Sequence, residues 1–373
     1  MLTPRTRIVL GLPAALAALI MLVAPASTQA IAQSRAAQSA RSTIPAFSKA
    51  IWGQVYRHGV NQFPLYRQLG VSIYEIELPW AQVAPTRPAS LTNPADPAYH
   101  WPTEVQQAVT QARRFHIRVL LQIIGAPQWA NGDHSSSWAP LHSAAFAAFA
   151  TAAARRYPSV HLWMIWGEPT KTSNFDPLVP APATAPNLDA AQQAAPHLYA
   201  RMLDAAYGAL KQVSTHNLVI GGCTYTTGAI DTLQWIENLK LPDGRAPRMD
   251  IYAHNPFSYQ MPSFAVAPSP FGEVQFSDLH ELAGWIDKYL KKGLPIFLSE
   301  WTVPTAPDQQ FNFYVSQATA AQWITEALHL ARQYTRIDGL GWVNVYDDPP
   351  TTYGGLLTQA GAHKPGFDAF ARG

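Results

Sequence analysis

From Ile51 to the C-terminus the chain repeats one two-part unit eight times: a short β-branched or aromatic run, then a longer stretch of helical period. That is the pattern of parallel strands joined by crossover helices. The runs begin near Ile51 (IWGQVY), Val71 (VSIYEIEL), Ile117 (IRVLLQII), His161 (HLWMIWGE), Leu218 (LVIGGCTY), Met249 (MDIYAH), Leu294 (LPIFLSE) and Gly339 (GLGWVNVY). None alternates cleanly, as expected of strands covered on both faces. Between them, Ala320, Trp323, Ile324, Ala327, Leu328 and Ala331 keep helical spacing, and Leu279, Leu282, Ala283 and Ile286 repeat it in the preceding interval. Trp235, Trp285 and Trp323 lie on such stripes and read as structural. Eight units within residues 48–373 predict a single-domain α/β fold, a (β/α)8 TIM barrel. An open doubly wound sheet fits less well, because no Gly-rich dinucleotide turn follows the first strand. With 373 residues, 48% of them hydrophobic, the chain can fill such a core.

Composition narrows the partners. Only 13% of residues are charged and the formal net charge is +2, so no strong field of either sign exists to hold nucleic acid. The single cysteine, Cys223, can form neither an internal disulfide nor a thiolate metal cluster.

Residues 1–32 read as a signal peptide. Arg5 and Arg7 precede an uncharged, mostly apolar run from Ile8 to Val23, and Ala30, Ile31 and Ala32 have the small-x-small form of a cleavage site. The run is shorter than the roughly 20 residues that span a bilayer, so cleavage is favoured, with an uncleaved anchor as the alternative. Residues 33–47 read as a linker and 48–373 as the barrel domain. The expected location is secreted or in the cell envelope, with no membrane contact after cleavage. Two Pro- and Ala-rich stretches, Thr170 to Pro196 and Ser258 to Ser277, follow the fourth and sixth strands. In a barrel they would wall a cleft on the C-terminal face; a disordered insertion is the alternative at Pro180 to Pro186.

Two carboxylates end apolar strands, where a buried charge is costly without a purpose: Glu168 closes HLWMIWGEP and Glu300 closes LPIFLSEW. On the fourth and seventh strands of one barrel, both would face the same mouth. That geometry suits glycosidic cleavage, in which one carboxyl protonates the leaving oxygen while the other attacks or stabilises the anomeric carbon. Glu168 lies beside Trp163 and Trp166, so desolvation is expected to keep it proton-bearing, whereas Glu300 must stay ionised to attack.

The segments LGVSIYEIELPWAQVAP, GAPQWANG, WMIWGEP, YAHNPFS, IFLSEW and GWVNVYDD resemble the glycoside hydrolases of clan A, most of all families 39 and 5, over nearly the whole mature chain. The resemblance implies a secreted retaining O-glycosidase acting on a poly- or oligosaccharide, with Glu168 as acid/base and Glu300 as nucleophile. It implies that Trp80, Trp129, His254 and Trp342 line the sugar cleft, and Trp301 joins them as an aromatic placed to cover sugar C–H patches. Asn255 and Tyr346 are further candidates. No metal or organic cofactor is implied.

Three positions depart from that pattern. Gly167 stands where the relatives carry an Asn that holds the sugar hydroxyl next to the anomeric carbon, Glu75 where an Arg lies in the second strand, and Phe257 where a Tyr often supports the nucleophile. These departures motivate the alternative reading, a carbohydrate-binding protein on the same barrel that has lost turnover. Ile73, Glu75 and Glu77 share one face of the second strand; if that face is inward, Glu75 is a buried carboxylate needing a partner, with Arg57, His58 or Arg118 as candidates, or a third functional carboxylate. Asp347 and Asp348 read either as a hydroxyl or cation site or as a turn before Pro349 and Pro350. No HExxH, Walker loop or GxSxG elbow occurs, which leaves zinc proteolysis, nucleotide hydrolysis and serine esterase chemistry unsupported.

Overall fold

The computed structural model describes residues 47–183, 185, 187–269 and 272–373. The expected signal peptide lies outside the described residues, as does the linker apart from Phe47. Among the described residues eight parallel strands close into a barrel. They are β1 (Ser48–Trp52), β2 (Ile73–Pro79), β3 (Arg118–Ile124), β4 (Leu162–Ile165), β5 (Leu218–Tyr225), β6 (Ile251–Asn255), β7 (Ile296–Trp301) and β8 (Ile337–Trp342). One principal helix follows each: α1 (Phe63–Gln68), α2 (Thr103–Arg114), α3 (Ser143–Arg156), α4 (Ala194–Val213), α5 (Thr232–Glu237), α6 (Leu279–Tyr289), α7 (Gln317–Gln333) and α8 (Pro365–Arg372). β1 pairs with both β2 and β8, so no sheet edge remains.

Two apolar layers hold this arrangement. Inside the barrel, Ala50, Ile73, Leu120, Met164, Ile251 and Phe297 form a small closed cluster. A larger one lies between strands and helices and takes in the expected stripes of α6 and α7. Because both strand faces are buried, the strands read as continuous apolar runs and not as alternations. The last helix is tied back to the first strand, where the buried Lys49 donates to the carbonyl of Phe370 at 2.7 Å.

Two irregularities shape the C-terminal mouth. Between Leu298 and Trp301, β7 carries one residue more than β8 does between Leu340 and Trp342. Such a bulge re-aims side chains. Ser299 and Glu300 therefore both face the barrel axis and Trp301 is turned outward. A second register shift, on β5 between Gly222 and Thr224, centres on Cys223, whose φ is +48°.

The long segment after β4 is held down. Ala181 donates its N–H to Ala229, and the Gln234 amide donates to the carbonyls of Pro182 and Ala185. Of the segment Pro180 to Pro186, Ala181, Pro182 and Ala185 are thus bonded to the rest of the fold, and residues 184 and 186 lie outside the described residues.

Candidate active site

β4 ends at Ile165, three residues before Glu168, earlier than the sequence pattern implies. What carries the carboxylate over the mouth is a strained turn: Trp166 and Glu168 both have positive φ, +66° and +43°, a region costly for residues with a Cβ. The surroundings hold this turn in place. The Trp166 indole N–H donates to Asn174 at 2.7 Å, and the Lys171 N–H donates to the carbonyl of Glu168 at 3.0 Å.

The same turn brings a cation onto the carboxylate. Lys171 Nζ lies 2.6 Å from Glu168 Oε2 and 3.6 Å from the centre of the Tyr225 ring. The other carboxylate oxygen, Oε1, accepts from Asn255 Nδ2 at 3.0 Å. Asn255 is fully buried at the end of β6, and its Oδ1 accepts the backbone N–H of Glu300 at 3.1 Å. One amide thus joins the two strand ends that carry the candidate acids. The inward turn of Asn255 follows from β6 alternation, which places Ile251, Ala253 and Asn255 on the axial face.

The two carboxyls differ in what surrounds them. Glu300 is the group pushed up, to about 8, first by burial and then by the Glu168 carboxylate, with a further push from Glu77; Lys171 and Asn255 act the other way. The expectation placed the proton on Glu168 because of its Trp neighbours. In the structure Glu168 has Lys171 as counter-ion and Asn255 as donor, whereas Glu300 faces two other carboxyls.

Glu75 does point inward, and it is 1% exposed. Its partner is none of the three cations expected. Ser299 Oγ donates to its Oε2 at 2.7 Å, and Oε1 is buried without a partner. Arg118 instead donates to Ser48 at 2.8 Å, and Arg57 lies over Tyr346. Burial therefore drives the Glu75 carboxyl well up, toward its neutral form.

Several of the expected sugar contacts are packed or bonded within the protein. His254 is fully buried on the outer face of β6, one ring nitrogen 2.8 Å from Thr224 Oγ1 and the other 2.8 Å from the carbonyl of Val274, so neither is free for a substrate. Trp80 is buried against Phe149 of α3, and Trp129 packs edge-on against Trp80 with its indole N–H bonded to Ala84. Trp301 and Trp342 are turned outward and pack against each other at 5.6 Å, both buried. The β7 bulge is the physical reason for Trp301, and strand alternation with Leu340 for Trp342.

An aromatic that does reach the mouth is Trp52, half-buried at the end of β1, with its indole N–H 3.4 Å from Ser299 Oγ. Phe257 sits between Tyr225 and Phe311, ring centres 5.7 and 5.5 Å away. At Gly167 the space a Cβ would take is held by the Gln122 side-chain amide, whose atoms lie 3.0 to 3.1 Å from that point. Gln122 is buried on the axial face of β3. An amide from the neighbouring strand thus stands beside the residue that lacks one. Asp347 is paired with Lys364 at 2.8 Å in a buried bridge, which supports the turn reading of that segment. Beside the centre opens a cavity of about 750 Å³ lined by Trp52, Gln54, Arg57, Asn344 and Tyr346, among others.

No family model matches the chain and no curated protein does. Solved structures do. A family 39 glycoside hydrolase from the gut symbiont Bacteroides cellulosilyticus superposes with a TM-score of 0.60 at 17% identity, covering 87% of this chain and 62% of that one. The chain shares its barrel fold with this family 39 glycoside hydrolase. A glucosidase from Croceicoccus marinus gives 0.61 at 14% identity over 89% of this chain and 67% of that one. A monomeric beta-xylosidase from Caulobacter crescentus gives 0.59 at 17%, over 88% and 68%. The chain thus spans about two thirds of the length of these proteins, and the family 39 likeness is one of barrel architecture.

Proposed function

We propose that this chain is an exported retaining glycoside hydrolase that cleaves O-glycosidic bonds of a poly- or oligosaccharide by double displacement. The observation that carries the reading is Asn255, which engages the Glu168 carboxylate with one end of its amide and the Glu300 backbone with the other. No structural need of the barrel calls for two acids tied together over its mouth. In this reading Glu300 attacks the anomeric carbon while Glu168 gives its proton to the leaving oxygen; Glu168 then takes a proton from the water that releases the sugar. The reacting form is the pair holding a single proton, which belongs to the pair jointly. Lys171 must leave Glu168 when the proton arrives there, and its place above Tyr225 gives it a second resting surface.

The Glu168–Lys171 contact also favours a second reading, a binding protein without turnover, since the lysine occupies one of the two oxygens through which Glu168 would act. The two are separated with a panel of activated aryl glycosides on the wild type, Glu168→Ala and Glu300→Ala, with azide added. Turnover that is lost in Glu300→Ala and restored by azide with opposite anomeric configuration supports the enzyme. Sugar binding with no turnover in the wild type supports the second reading.

A further inference from the structure

The cavity beside the carboxyl pair carries a feature that hydroxyl recognition does not require. Arg57 lies on a two-stranded ribbon (Tyr56–Arg57 with Val60–Asn61) between β1 and α1. Its guanidinium is 4.1 Å from the centre of the Tyr346 ring, and Nη2 donates to the carbonyl of Gln359 at 2.7 Å. The support beneath is itself fixed, because Tyr346 donates to Gln62 at 2.7 Å and Gln62 donates its N–H to Val55. Among the described residues no carboxylate pairs with Arg57. One of its five N–H donors is engaged within the protein, and the planar fork matches a carboxylate or sulfate.

We propose that this cavity takes a part of the glycan that bears an anionic substituent, a carboxylate or a sulfate ester, and that Arg57 recognises it. The proposal rests on the glycosidase reading above and names its substrate class. Trp52 stands between the cavity and the carboxyl pair: it lines the cavity, and its indole N–H lies 3.4 Å from the hydroxyl of Ser299, the residue before Glu300. Its volume of about 750 Å³ accommodates sugar beyond the scissile bond. Gln54, Asn344 and Thr352 offer partners for hydroxyls along the way. Of the other charged groups that line it, Asp347 is neutralised by the buried Lys364, His58 neighbours Arg57 on the ribbon, and Asp348 is exposed to water. An immobilised guanidinium loses little freedom on taking an anion, which is why a stacked arginine outperforms a free lysine in this role.

The test applies wild type, Arg57→Gln and Arg57→Lys to one array of neutral, uronic-acid and sulfated oligosaccharides, at low and high salt, with melting curves recorded for each variant. Binding should concentrate on acidic glycans, weaken with salt, and fall roughly tenfold or more in Arg57→Gln. Arg57→Lys, which keeps the charge and loses the fork, should lie between. The uronic and sulfated arms identify which anion is read. Preference for neutral glycans, acidic binding unchanged in Arg57→Gln, or an absence of any binding overturns the proposal; so does a fall in melting temperature of the variants with no change of preference. Aryl glycoside hydrolysis that disappears in Glu300→Ala, found together with no preference for acidic glycans, would leave the glycosidase standing while this inference falls. Acidic binding without hydrolysis would do the reverse.

Discussion

Asn255 donates to Glu168 at 3.0 Å from a position where its own oxygen is already holding the backbone of Glu300. The geometry of the pair is therefore set by one amide that can satisfy both only in one orientation. Asn255→Ala should lower kcat/KM by about 100-fold, the order expected when reacting groups drift by an ångström, with KM less affected. It should also cost about 1–3 kcal/mol of stability, since the Glu300 N–H is left unpaired. Steady-state kinetics and denaturant unfolding read the two effects; a loss of stability without loss of kcat would mean that the amide is only structural.

Raising Glu300 to about 8 has a definite consequence with pH. The unfolded carboxyl ionises near 4.5, so between the two values the folded state holds a proton that the unfolded state has lost. This stabilisation is fully present below about 4.5 and is lost as pH rises to about 8. Melting temperature should fall along that interval, and Glu300→Gln should flatten the fall. Activity, if it needs the singly protonated pair, should decline on an alkaline limb near the same value. An activity plateau extending well past pH 9 would contradict it.

Much of this was legible in the chain because it is a matter of periodicity. Eight apolar runs specify eight parallel strands, and the stripes of α6 and α7 specify which helix faces are buried. The two acids were legible for the same reason, as charges at the ends of apolar runs. What the sequence concealed were the places where periodicity breaks. A bulge of one residue in β7 lets Glu300 face inward together with Ser299 and turns Trp301 outward, and nothing in LPIFLSEW marks it. The positive φ values at Trp166 and Glu168 bring Lys171 back onto the acid, although the chain there reads only as a loop. Gln122 was within reach, since it shares the inward face of β3 with Leu120, but its value appears only once Gly167 is seen to leave room for it.

Glu75 should tolerate neutral replacement. With its carboxyl driven toward the protonated form by burial and one oxygen accepting from Ser299, Glu75→Gln keeps shape, charge and hydrogen bond. Its stability at neutral pH should differ from wild type by less than about 1 kcal/mol, whereas Glu75→Ala, which opens a cavity and orphans the Ser299 hydroxyl, should cost about 2–5 kcal/mol. Equal losses in both variants would show that Glu75 functions as an anion.

Gly167 and Gln122 should behave as one unit. An asparagine at 167 brings a Cβ to within 3.0–3.1 Å of the Gln122 amide. Gly167→Asn alone should cost about 1–3 kcal/mol through overpacking, and Gln122→Ala alone should leave a hole. Together they should cost less than the sum of the two, by roughly 0.5–3 kcal/mol in a double-mutant cycle. If the double variant also keeps activity that Gln122→Ala loses, the two amides serve the same place in the site. Strict additivity would mean that they do not share the space.

His254 sets the acid side of the stability profile. Burial lowers it from about 6.5 to about 4, against the smaller upward effects of its bonds to Val274 and Thr224. In this window the unfolded chain takes up a proton that the folded imidazole refuses. Stability therefore falls as pH drops from about 6.5 to about 4, by roughly 3 kcal/mol at about 1.4 kcal/mol per pH unit. Glu300 works in the opposite sense from about 4.5 upward, so the two slopes partly cancel between about 4.5 and 6.5. Replacing His254 by Gln should reduce the acid-side slope and lower stability at neutral pH. The kcat of the molecules still folded should stay near wild type, because among the described residues the ring bonds to Thr224 and the Val274 carbonyl. A large fall in kcat at unchanged melting temperature would instead return His254 to the sugar site.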